Sequence, residues 1–453
     1  MEKNQLIELT IKDQSKDGRG IGSCDGLIVF VDGCVLGDRV SARVTKLKKR
    51  YALAKVEEIL ELSKHRTEDV CPYIDECGGC AFGKLKYEKQ LELKERHVRD
   101  VLERIGGVEA PELEPIISME IPYNYRNKAR LAICHKTRSV GFLERLSHKV
   151  VDCRECRLQS EAVVAVADAL RASFDDCEDA KKIKNLVVKT SFSSGEVMVV
   201  PTVEEKALDL ENLIYVVDES INTIPSFDDG FEYYLSSVAL DIADNNPSKR
   251  HKNRAEIIAG RHVIEDEMLG LRFEISPYSF YQVNPMQAER LYEKAVEYAG
   301  IKGRETVLDL YCGVGTIGLF MAKAGAGKVI GIELVKEAVL NANRNAVING
   351  IVNAIYYTGK AEEELPRLRE EGEIEKADVV ILDPPRKGCD EALLKAVVET
   401  EADRIVYISC DPATMSRDVK YLVENGYEYV KGTPVDMFPH TGHVECIALI
   451  QRV

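Results

Sequence analysis

From about residue 270 onward, stretches typical of buried strands alternate with stretches typical of helices, and this pattern constrains the fold more than any other feature. The run ETVLDLYCGVGTIGLFMAKAG reads as a strand, a glycine-rich turn and a helix. The runs VIGIEL, ADVVILDPPRKGCD and ADRIVYISCDPAT each contain a further apolar strand. Such alternation predicts a parallel α/β sheet with crossover connections. Ligands of these sheets bind outside the carboxyl ends of the strands, so we expect functional residues there.

A glycine-rich turn follows the first of these strands. Gly313, Gly315 and Gly318 fit the pattern G-x-G-x-x-G, and Glu333 ends the next strand. This arrangement lets the backbone approach a nucleotide-like ligand while the carboxylate accepts hydrogen bonds from ribose hydroxyls. The pattern suits a dinucleotide as well as S-adenosylmethionine, so it leaves the ligand open.

Two further strand ends carry polar or reactive side chains. Asp383 follows the apolar run ADVVIL, and Cys410 follows YIS in the next strand. An arbitrary free cysteine usually packs as a small hydrophobe, so the position of Cys410 matters more than its residue type. We expect both side chains to face the same crevice as the glycine turn and Glu333.

Residues 1 to about 60 contain four or five short strand patterns separated by glycine-rich turns. Val40, Ala42 and Val44 alternate with polar residues, which is the period of a half-buried strand. So many strands in so short a span predict a small closed barrel of the OB type, which often holds single-stranded nucleic acid. The edge KLKKRYALAK suits phosphates and base stacking, and a solvated cationic strand is the equal alternative.

Three cysteines lie within ten residues in the run CPYIDECGGC, at Cys71, Cys77 and Cys80. Packing explains this density poorly, whereas one soft metal ion or an iron–sulfur cluster explains it well. Zinc stays an alternative because four thiolates also suit its tetrahedral geometry. The candidates for a fourth thiolate are Cys156, Cys153 and Cys134.

The run YNYRNKARLAI lies between these cysteines. Tyr123 and Tyr125 interleave with Arg126, Lys128 and Arg130, an arrangement that could grip a splayed RNA strand. An exposed amphipathic strand is the alternative.

Length, cysteine content and charge bound the class of protein. The 453 residues predict about three domains, with boundaries at 1–62, 63–268 and 269–453. Thirteen cysteines without a secretion signal argue against a disulfide framework, and no apolar run could span a bilayer. We therefore expect a cytoplasmic protein without membrane contact, with a monomer as the default. The net charge of −15 disfavours indiscriminate nucleic-acid coating but allows a local basic surface.

The blocks DLYCGVGTIGL, LDPPRKG, ISCDPATMSRD and HTGHVECIALI resemble those of the S-adenosylmethionine-dependent RNA uracil-5-methyltransferases. The N-terminal barrel resembles the TRAM domain, and C-x5-C-x2-C with a distant C-x-L resembles the [4Fe-4S] site of the ribosomal-RNA branch. The resemblance spans nearly the whole chain. It implies an α/β Rossmann-like methyltransferase domain, an N-terminal OB-like β-barrel and a central α+β cluster-binding domain.

The resemblance also implies roles for single residues. It makes Cys410 the nucleophile that adds to C6 of uracil, and Glu445 the base that removes the C5 proton. The positions that match the family's contacts to S-adenosylmethionine are Gln282, Tyr311, Glu333 and Asp383, beside Gly313 and Gly315. The positions that match the cluster ligands are Cys71, Cys77, Cys80 and Cys156, with Cys153 as the alternative to Cys156.

The resemblance implies RNA as the substrate, and it favours ribosomal RNA over transfer RNA because a TRAM barrel together with cluster cysteines is more similar to the ribosomal-RNA enzymes. Thiolate chemistry requires nearby positive charge, for which Arg386 and Arg417 are the candidates. Two functions of other classes compete with this interpretation. An iron–sulfur oxidoreductase using NAD would share the glycine turn and the cysteines, and a non-catalytic RNA-binding protein would share the fold.

Overall fold

The computed structural model describes residues 1–145, 147–177, 179–204, 210–226, 231–243 and 255–453. Within these ranges the strands form a barrel-like N-terminal sheet, a central sheet, a small hairpin and a C-terminal sheet. No helix in the described ranges is both long and apolar enough to cross a bilayer.

The N-terminal sheet has six strands in the order β1-β5-β6-β4-β3-β2. β1 packs against β3, so the sheet curls around one small core that includes Val40, Ala42 and Val44. These three side chains are fully buried as predicted, and Arg43 and Thr45 are exposed, but Ser41 is buried too, so the alternation is confirmed only in part. The strands are β1 (Leu6–Thr10), β2 (Asp13–Gln14), β3 (Gly20–Cys24), β4 (Leu27–Asp32), β5 (Arg39–Leu47) and β6 (Tyr51–Glu61).

The cysteine-rich loop follows, and after it helix α1 (Tyr87–Arg104). One face of α1 is apolar, and Val98 and Leu102 on that face join the core of the C-terminal sheet. Sequence distance hides this contact, because the strands they touch lie more than 200 residues further along the chain. The domain boundaries at 62 and 268 stay a prediction. The contact of α1 with the C-terminal sheet shows that the second and third segments share one apolar core.

The central sheet has seven strands in the order β13-β12-β11-β10-β7-β8-β9, and helices α2 and α3 share one apolar core with it. Only β11 and β12 pair in parallel. Its strands are β7 (Lys128–Cys134), β8 (Ser139–Leu143), β9 (Val150–Asp152), β10 (Asn185–Thr190), β11 (Glu196–Val203), β12 (Tyr234–Ile242) and β13 (Glu256–Gly260). The helices are α2 (Glu161–Asp176) and α3 (Glu211–Asn222), with a 3-10 turn at Asp179–Lys182. A separate hairpin joins β14 (Ile264–Met268) to β15 (Leu271–Ile275).

The C-terminal sheet confirms the predicted α/β alternation. Its seven strands have the order β18-β17-β16-β19-β20-β22-β21, parallel from β18 to β20. β22 runs antiparallel to both of its neighbours. The strands are β16 (Thr306–Leu310), β17 (Lys328–Glu333), β18 (Ala354–Thr358), β19 (Val379–Leu382), β20 (Arg404–Ser409), β21 (Tyr427–Val435) and β22 (Glu445–Arg452). The helices are α4 (Pro285–Ala299), α5 (Thr316–Lys323), α6 (Lys336–Ile348), α7 (Ala361–Glu370), α8 (Glu391–Glu399) and α9 (Pro412–Glu424).

Helices cover both faces of this sheet. One core includes side chains of α4, α5 and α6, and the other includes side chains of α7, α8, α9 and α1. The strand order reverses between β16 and β19, because β17 lies on one side of β16 and β19 on the other. Open α/β sheets bind their ligands at such a switch point, outside the carboxyl ends of the strands.

Candidate active site

The glycine turn connects β16 to α5 at this switch point. Gly315 precedes the helix with a φ of +81°, and a Cβ there would lie 2.8 Å from the ring of Tyr356. A side chain at Gly313 would instead project into open space, with no heavy atom within 4 Å. The turn therefore needs glycine for its backbone and presents a bare surface to the crevice.

Glu333 holds this turn from the end of β17. One carboxylate oxygen accepts a hydrogen bond from the Gly313 N–H (3.2 Å), and the other accepts from the Val335 N–H (2.8 Å). The predicted proximity of Glu333 to the turn is thus present in the structure.

Asp309 is a buried acid that the sequence analysis missed. It lies inside β16, and Oδ2 accepts a hydrogen bond from the Gly318 N–H (2.8 Å) while Oδ1 has no hydrogen-bond partner. Burial and the neighbouring charges of Asp383 and Glu333 raise its pKa to about 7. The sequence indicates this residue through an aspartate in the mostly apolar strand TVLDL, because an aspartate is seldom fully buried unless it is paired.

Cys410 and Glu445 meet at the ends of two neighbouring strands. Antiparallel pairing sets Ser409 opposite Cys446, so Cys410, directly after β20, lies beside Glu445, the first residue of β22. Burial and the charges of Glu445 and Asp383 raise the pKa of the half-buried Cys410 thiol to about 11. Burial, and then the charge of Asp383, raise the pKa of Glu445 to about 8. Burial raises that of Asp383 to about 7. Three acidic groups thus share one poorly hydrated region.

Arg386 partly offsets this negative charge. Its guanidinium lies close enough to the Cys410 thiol to lower the pKa of that thiol, so its charge favours the thiolate. Arg417 takes a different place, because it donates to the buried Asp418 carboxylate (2.8 Å) and to the backbone carbonyls of residues 387 and 389. Of the two predicted cations, Arg386 acts on the thiol, while Arg417 fixes the loop that carries Arg386.

Gln282 and Tyr311 have different surroundings, because Tyr311 packs against the core that includes α7, α8 and α9. Gln282 is buried, and its side chain lowers the pKa of the nearby Tyr292 on α4, a residue that the sequence analysis missed. The half-buried Tyr311 follows β16 and has a φ of +65°, an uncommon conformation for a residue with a side chain. Backbone strain of this kind is concentrated at functional sites.

Five thiols line one cavity of about 350 Å³. They are those of Cys71, Cys77, Cys80, Cys153 and Cys156. Cys134 lies outside this cavity, and both candidates in the run CREC lie inside it. Within the described ranges, no three His, Cys, Asp or Glu side chains are grouped to hold a single metal ion. The cavity extends past the thiols to Arg386 and His443.

Helix α1 anchors the loop that leads to Glu445. Lys94 and Asp436 form an almost fully buried ion pair, and Lys94 also donates to the Phe438 carbonyl (3.0 Å). The Gln90 side chain accepts a hydrogen bond from the His440 N–H (2.9 Å). The loop thus has a fixed position relative to β22.

The two tyrosines of the run YNYRNKARLAI pack against the loop that leads to Glu445. Tyr125 is fully buried and donates to the Pro439 carbonyl (3.0 Å), while Tyr123 stacks on His440 with ring centroids 4.8 Å apart. The expectation that both tyrosines grip RNA is wrong for Tyr125, because the loop before β22 covers its ring. Arg130 is exposed.

The chain resembles known RNA-modifying proteins. Residues 86–453 match the tRNA (Uracil-5-)-methyltransferase family model, and residues 2–56 match the TRAM domain. The chain is 41% identical to an uncharacterized RNA methyltransferase of Caldanaerobacter subterraneus, with 99% of this chain and 98% of the relative covered. It is 36% identical to one of Halalkalibacterium halodurans, with 100% and 98% covered.

One solved structure resembles the chain over almost its whole length. It is the Pyrococcus abyssi tRNA (uracil-54, C5)-methyltransferase in complex with S-adenosyl-L-homocysteine. The TM-score is 0.73 at 28% sequence identity, and the match covers 98% of this chain and 100% of that one.

Proposed function

The chain belongs to the tRNA (uracil-5-)-methyltransferase family, and from that membership we propose that it transfers a methyl group from S-adenosylmethionine to C5 of a uridine in RNA. The observation that carries this proposal is the placement of the Cys410 thiol beside the Glu445 carboxylate, at the same edge of the sheet as the glycine turn. A nucleophile, a base and a cofactor site are the three parts that this reaction requires.

The residues at the switch point fit S-adenosylmethionine. Gly313 leaves open space at the turn, Glu333 ends β17 where ribose hydroxyls of such ligands are bound, and Oδ1 of Asp309 lacks a partner. S-adenosylmethionine supplies an electrophilic methyl group on a sulfonium. We propose that Gln282, Tyr311, Glu333 and Asp383, with Gly313 and Gly315, hold it.

Cys410 starts the proposed reaction. C5 of uracil is a weak nucleophile, so the thiolate first forms a bond to C6 and the electron pair of the C5–C6 double bond moves towards O4. The resulting enolate makes C5 reactive enough to accept the methyl group. Arg386 supports this step because it favours the thiolate over the thiol.

Glu445 completes the reaction. After methyl transfer C5 carries both the methyl group and its original proton, and the carboxylate removes that proton. The electron pair restores the C5–C6 double bond and expels the Cys410 thiolate. General-base catalysis of this kind is worth roughly 10²- to 10⁴-fold. The carboxylate must be ionised to act, and its pKa of about 8 places this requirement within the working pH range.

Ribosomal RNA is the proposed substrate, because a TRAM barrel and a thiol-lined cavity occur together in this chain. Transfer RNA is the second candidate, since the similar Pyrococcus abyssi enzyme acts on it. Mass spectrometry of ribosomal and transfer RNA from cells with and without the protein separates the two. A cytoplasmic location and a monomeric state stay predictions.

We propose that the thiol-lined cavity holds a [4Fe-4S] cluster with a structural role. The donor set fits, because the cavity provides five thiols where a cluster needs four, and each thiolate would bond a different iron. The proposed ligands are Cys71, Cys77, Cys80 and Cys156. After anaerobic purification, Cys156→Ser should lose bound iron while Cys134→Ser keeps it. If Cys153→Ser loses iron and Cys156→Ser does not, the fourth ligand is Cys153.

RNA that contains 5-fluorouridine tests the proposed function directly. Fluorine at C5 cannot leave as a proton would, so the adduct with Cys410 should persist and shift the protein on a denaturing gel. Cys410→Ser should form no adduct. If the wild-type protein forms no adduct with either 23S ribosomal RNA or transfer RNA and methylates neither, the proposal is wrong.

A further inference from the structure

The turn between β2 and β3 of the N-terminal barrel is tightly closed. The Ser15 hydroxyl, which has one proton to donate, lies 2.6 Å from Asp17 Oδ1 and 2.8 Å from the Arg19 carbonyl oxygen, and its oxygen accepts from the Arg19 N–H (3.0 Å). The Gly18 N–H donates to the Ser15 carbonyl (2.8 Å). These bonds fix the backbone of the turn and leave the Lys16 side chain free to project from it.

This turn lies between two loops of the remaining chain. On one side, a Cβ at Gly18 would lie 2.5 Å from the carbonyl of Ala81, directly after Cys80. On the other side, a Cβ at Gly442 would lie 2.0 Å from the Lys16 carbonyl, three residues before Glu445. Only glycine at position 442 allows this approach, so barrel and catalytic loop fit together backbone against backbone.

Lys16 extends from the turn to the end of β20. Its ammonium lies 3.4 Å from the Asp411 carboxylate, which caps α9 through the Ala413 N–H and directly follows Cys410. The two side chains are 34% and 29% exposed. An ion pair this exposed contributes little to the free energy of unfolding, so stability does not explain the contact.

The Lys16–Asp411 contact brings a positive charge into the surroundings of Glu445. The titratable groups that face Glu445 or lie on its strand are Cys410, Asp383, Tyr292 and Cys446, and the cations that act on it are Arg386 and Lys16. Lys16 also acts on His443 and on His97 of α1. Arg386 is engaged with the thiol, so Lys16 is the cation that the barrel adds to a region rich in acids.

We propose that Lys16 is a positioning residue of the methyl-transfer site, which pairs with Asp411 and favours the carboxylate form of Glu445 when the barrel is docked. The inference rests on the proposed function. It assigns the barrel a part in catalysis in addition to RNA binding. Loss of the ammonium leaves Asp411 unpaired and Glu445 with one cation fewer, so Glu445 should ionise at higher pH.

The pH dependence of C5-proton release tests this proposal. Full-length protein with bound cofactor is mixed in excess with 23S ribosomal RNA or transfer RNA transcripts labelled with [5-³H]uridine, and tritium release is followed in a single turnover. Lys16→Met should raise the midpoint of the acidic limb by about 0.5 to 1 pH unit, which makes release roughly threefold to tenfold slower at pH 7. Lys16→Arg should restore the wild-type midpoint. Lys12→Met, an exposed lysine of the same barrel, is the matched control and should behave as wild type.

The midpoint of the pH profile distinguishes a positioning role of Lys16 from a role in binding RNA phosphate. A midpoint raised in Lys16→Met and restored in Lys16→Arg supports the proposal. An unchanged midpoint in Lys16→Met overturns the proposal. If the midpoint is unchanged while RNA affinity falls and the salt dependence of binding decreases by about one phosphate contact, Lys16 binds a phosphate of the RNA instead. Lys16→Gln gives a second neutral variant should Lys16→Met fail to fold. If wild-type protein releases no tritium from either RNA, the proposed function itself fails and the inference with it.

Discussion

Replacement of Arg386 by methionine tests the electrostatics of the candidate nucleophile. With Arg386 in place the pKa of the Cys410 thiol is about 11, and at pH 8, three pH units lower, roughly one thiol in a thousand is ionised. Arg386 is the cation whose charge lowers the pKa of this thiol. Its removal leaves burial, Glu445 and Asp383, all of which oppose the thiolate.

The expected magnitude follows from the exposure of Arg386. A nearby opposite charge shifts a pKa by about 1 to 3 units, and the low end applies here because the guanidinium is exposed and screened. A shift of one unit corresponds to about 1.4 kcal/mol. The thiolate fraction at pH 8 should therefore fall about tenfold, and the rate of thiolate-dependent alkylation should fall with it.

Peptide-resolved mass spectrometry measures this rate at Cys410 among the thirteen cysteines. RNA-free protein is treated with iodoacetamide between pH 8 and pH 10, and the modified fraction of the Cys410 peptide is followed over time. Lys387→Met is the matched control, because Lys387 is an exposed neighbour in the same loop. Equal alkylation rates in wild type and a folded Arg386→Met variant would show that Arg386 does not sustain the thiolate.

Three further variants test separate parts of the structure. Glu445→Gln should form the methylated adduct with RNA and fail to release it, so denaturing gels should show accumulated adduct; normal turnover would exclude Glu445 as the base. Gly313→Ala should weaken S-adenosylmethionine binding at least about tenfold by calorimetry, because its methyl group enters the open crevice, whereas Gly325→Ala, also at positive φ and facing open space, should not. Lys94→Met leaves its buried carboxylate partner without a cation and should lower the free energy of unfolding by about 3 to 5 kcal/mol, measured by denaturant titration. Lys89→Met removes the ion pair with the exposed Glu92 on the same helix and should lower the free energy of unfolding by less than about 1 kcal/mol.

The sequence predicts the parts of this structure that depend on local pattern. The alternation of strands and helices after residue 270 identifies the parallel sheet, because period and turn residues are local properties. The positions of Glu333, Asp383 and Cys410 at strand ends follow from the same pattern. A shared crevice then follows from the geometry of parallel sheets, which place the carboxyl ends of all strands at one edge.

The parts that failed depend on contacts distant in sequence. Tyr125 and Arg130 belong to one basic and aromatic run, yet Tyr125 is covered by a loop more than 300 residues further along. Arg386 and Arg417 are equally good candidates as cations, and only the buried Asp418 decides that Arg417 points away from the thiol. The packing of α1 on the C-terminal sheet also has no local signal, because the apolar face of a helix does not indicate which element it packs against.

The shared burial of Cys410 and Glu445 bears on the order of the proposed steps. Two neighbouring anions in a poorly hydrated region oppose each other, so in the free protein the thiolate and the carboxylate should seldom be charged together. Addition to C6 converts the thiolate into a neutral thioether and moves its charge towards O4. The obstacle to ionising Glu445 is then reduced at the stage where the carboxylate is needed as a base. When the base has taken the proton it is neutral again, which favours the return of the thiolate as the leaving group. Each ionisation in this pair thus assists the step that follows it, and the two raised pKa values fit a site in which the groups act in turn rather than together.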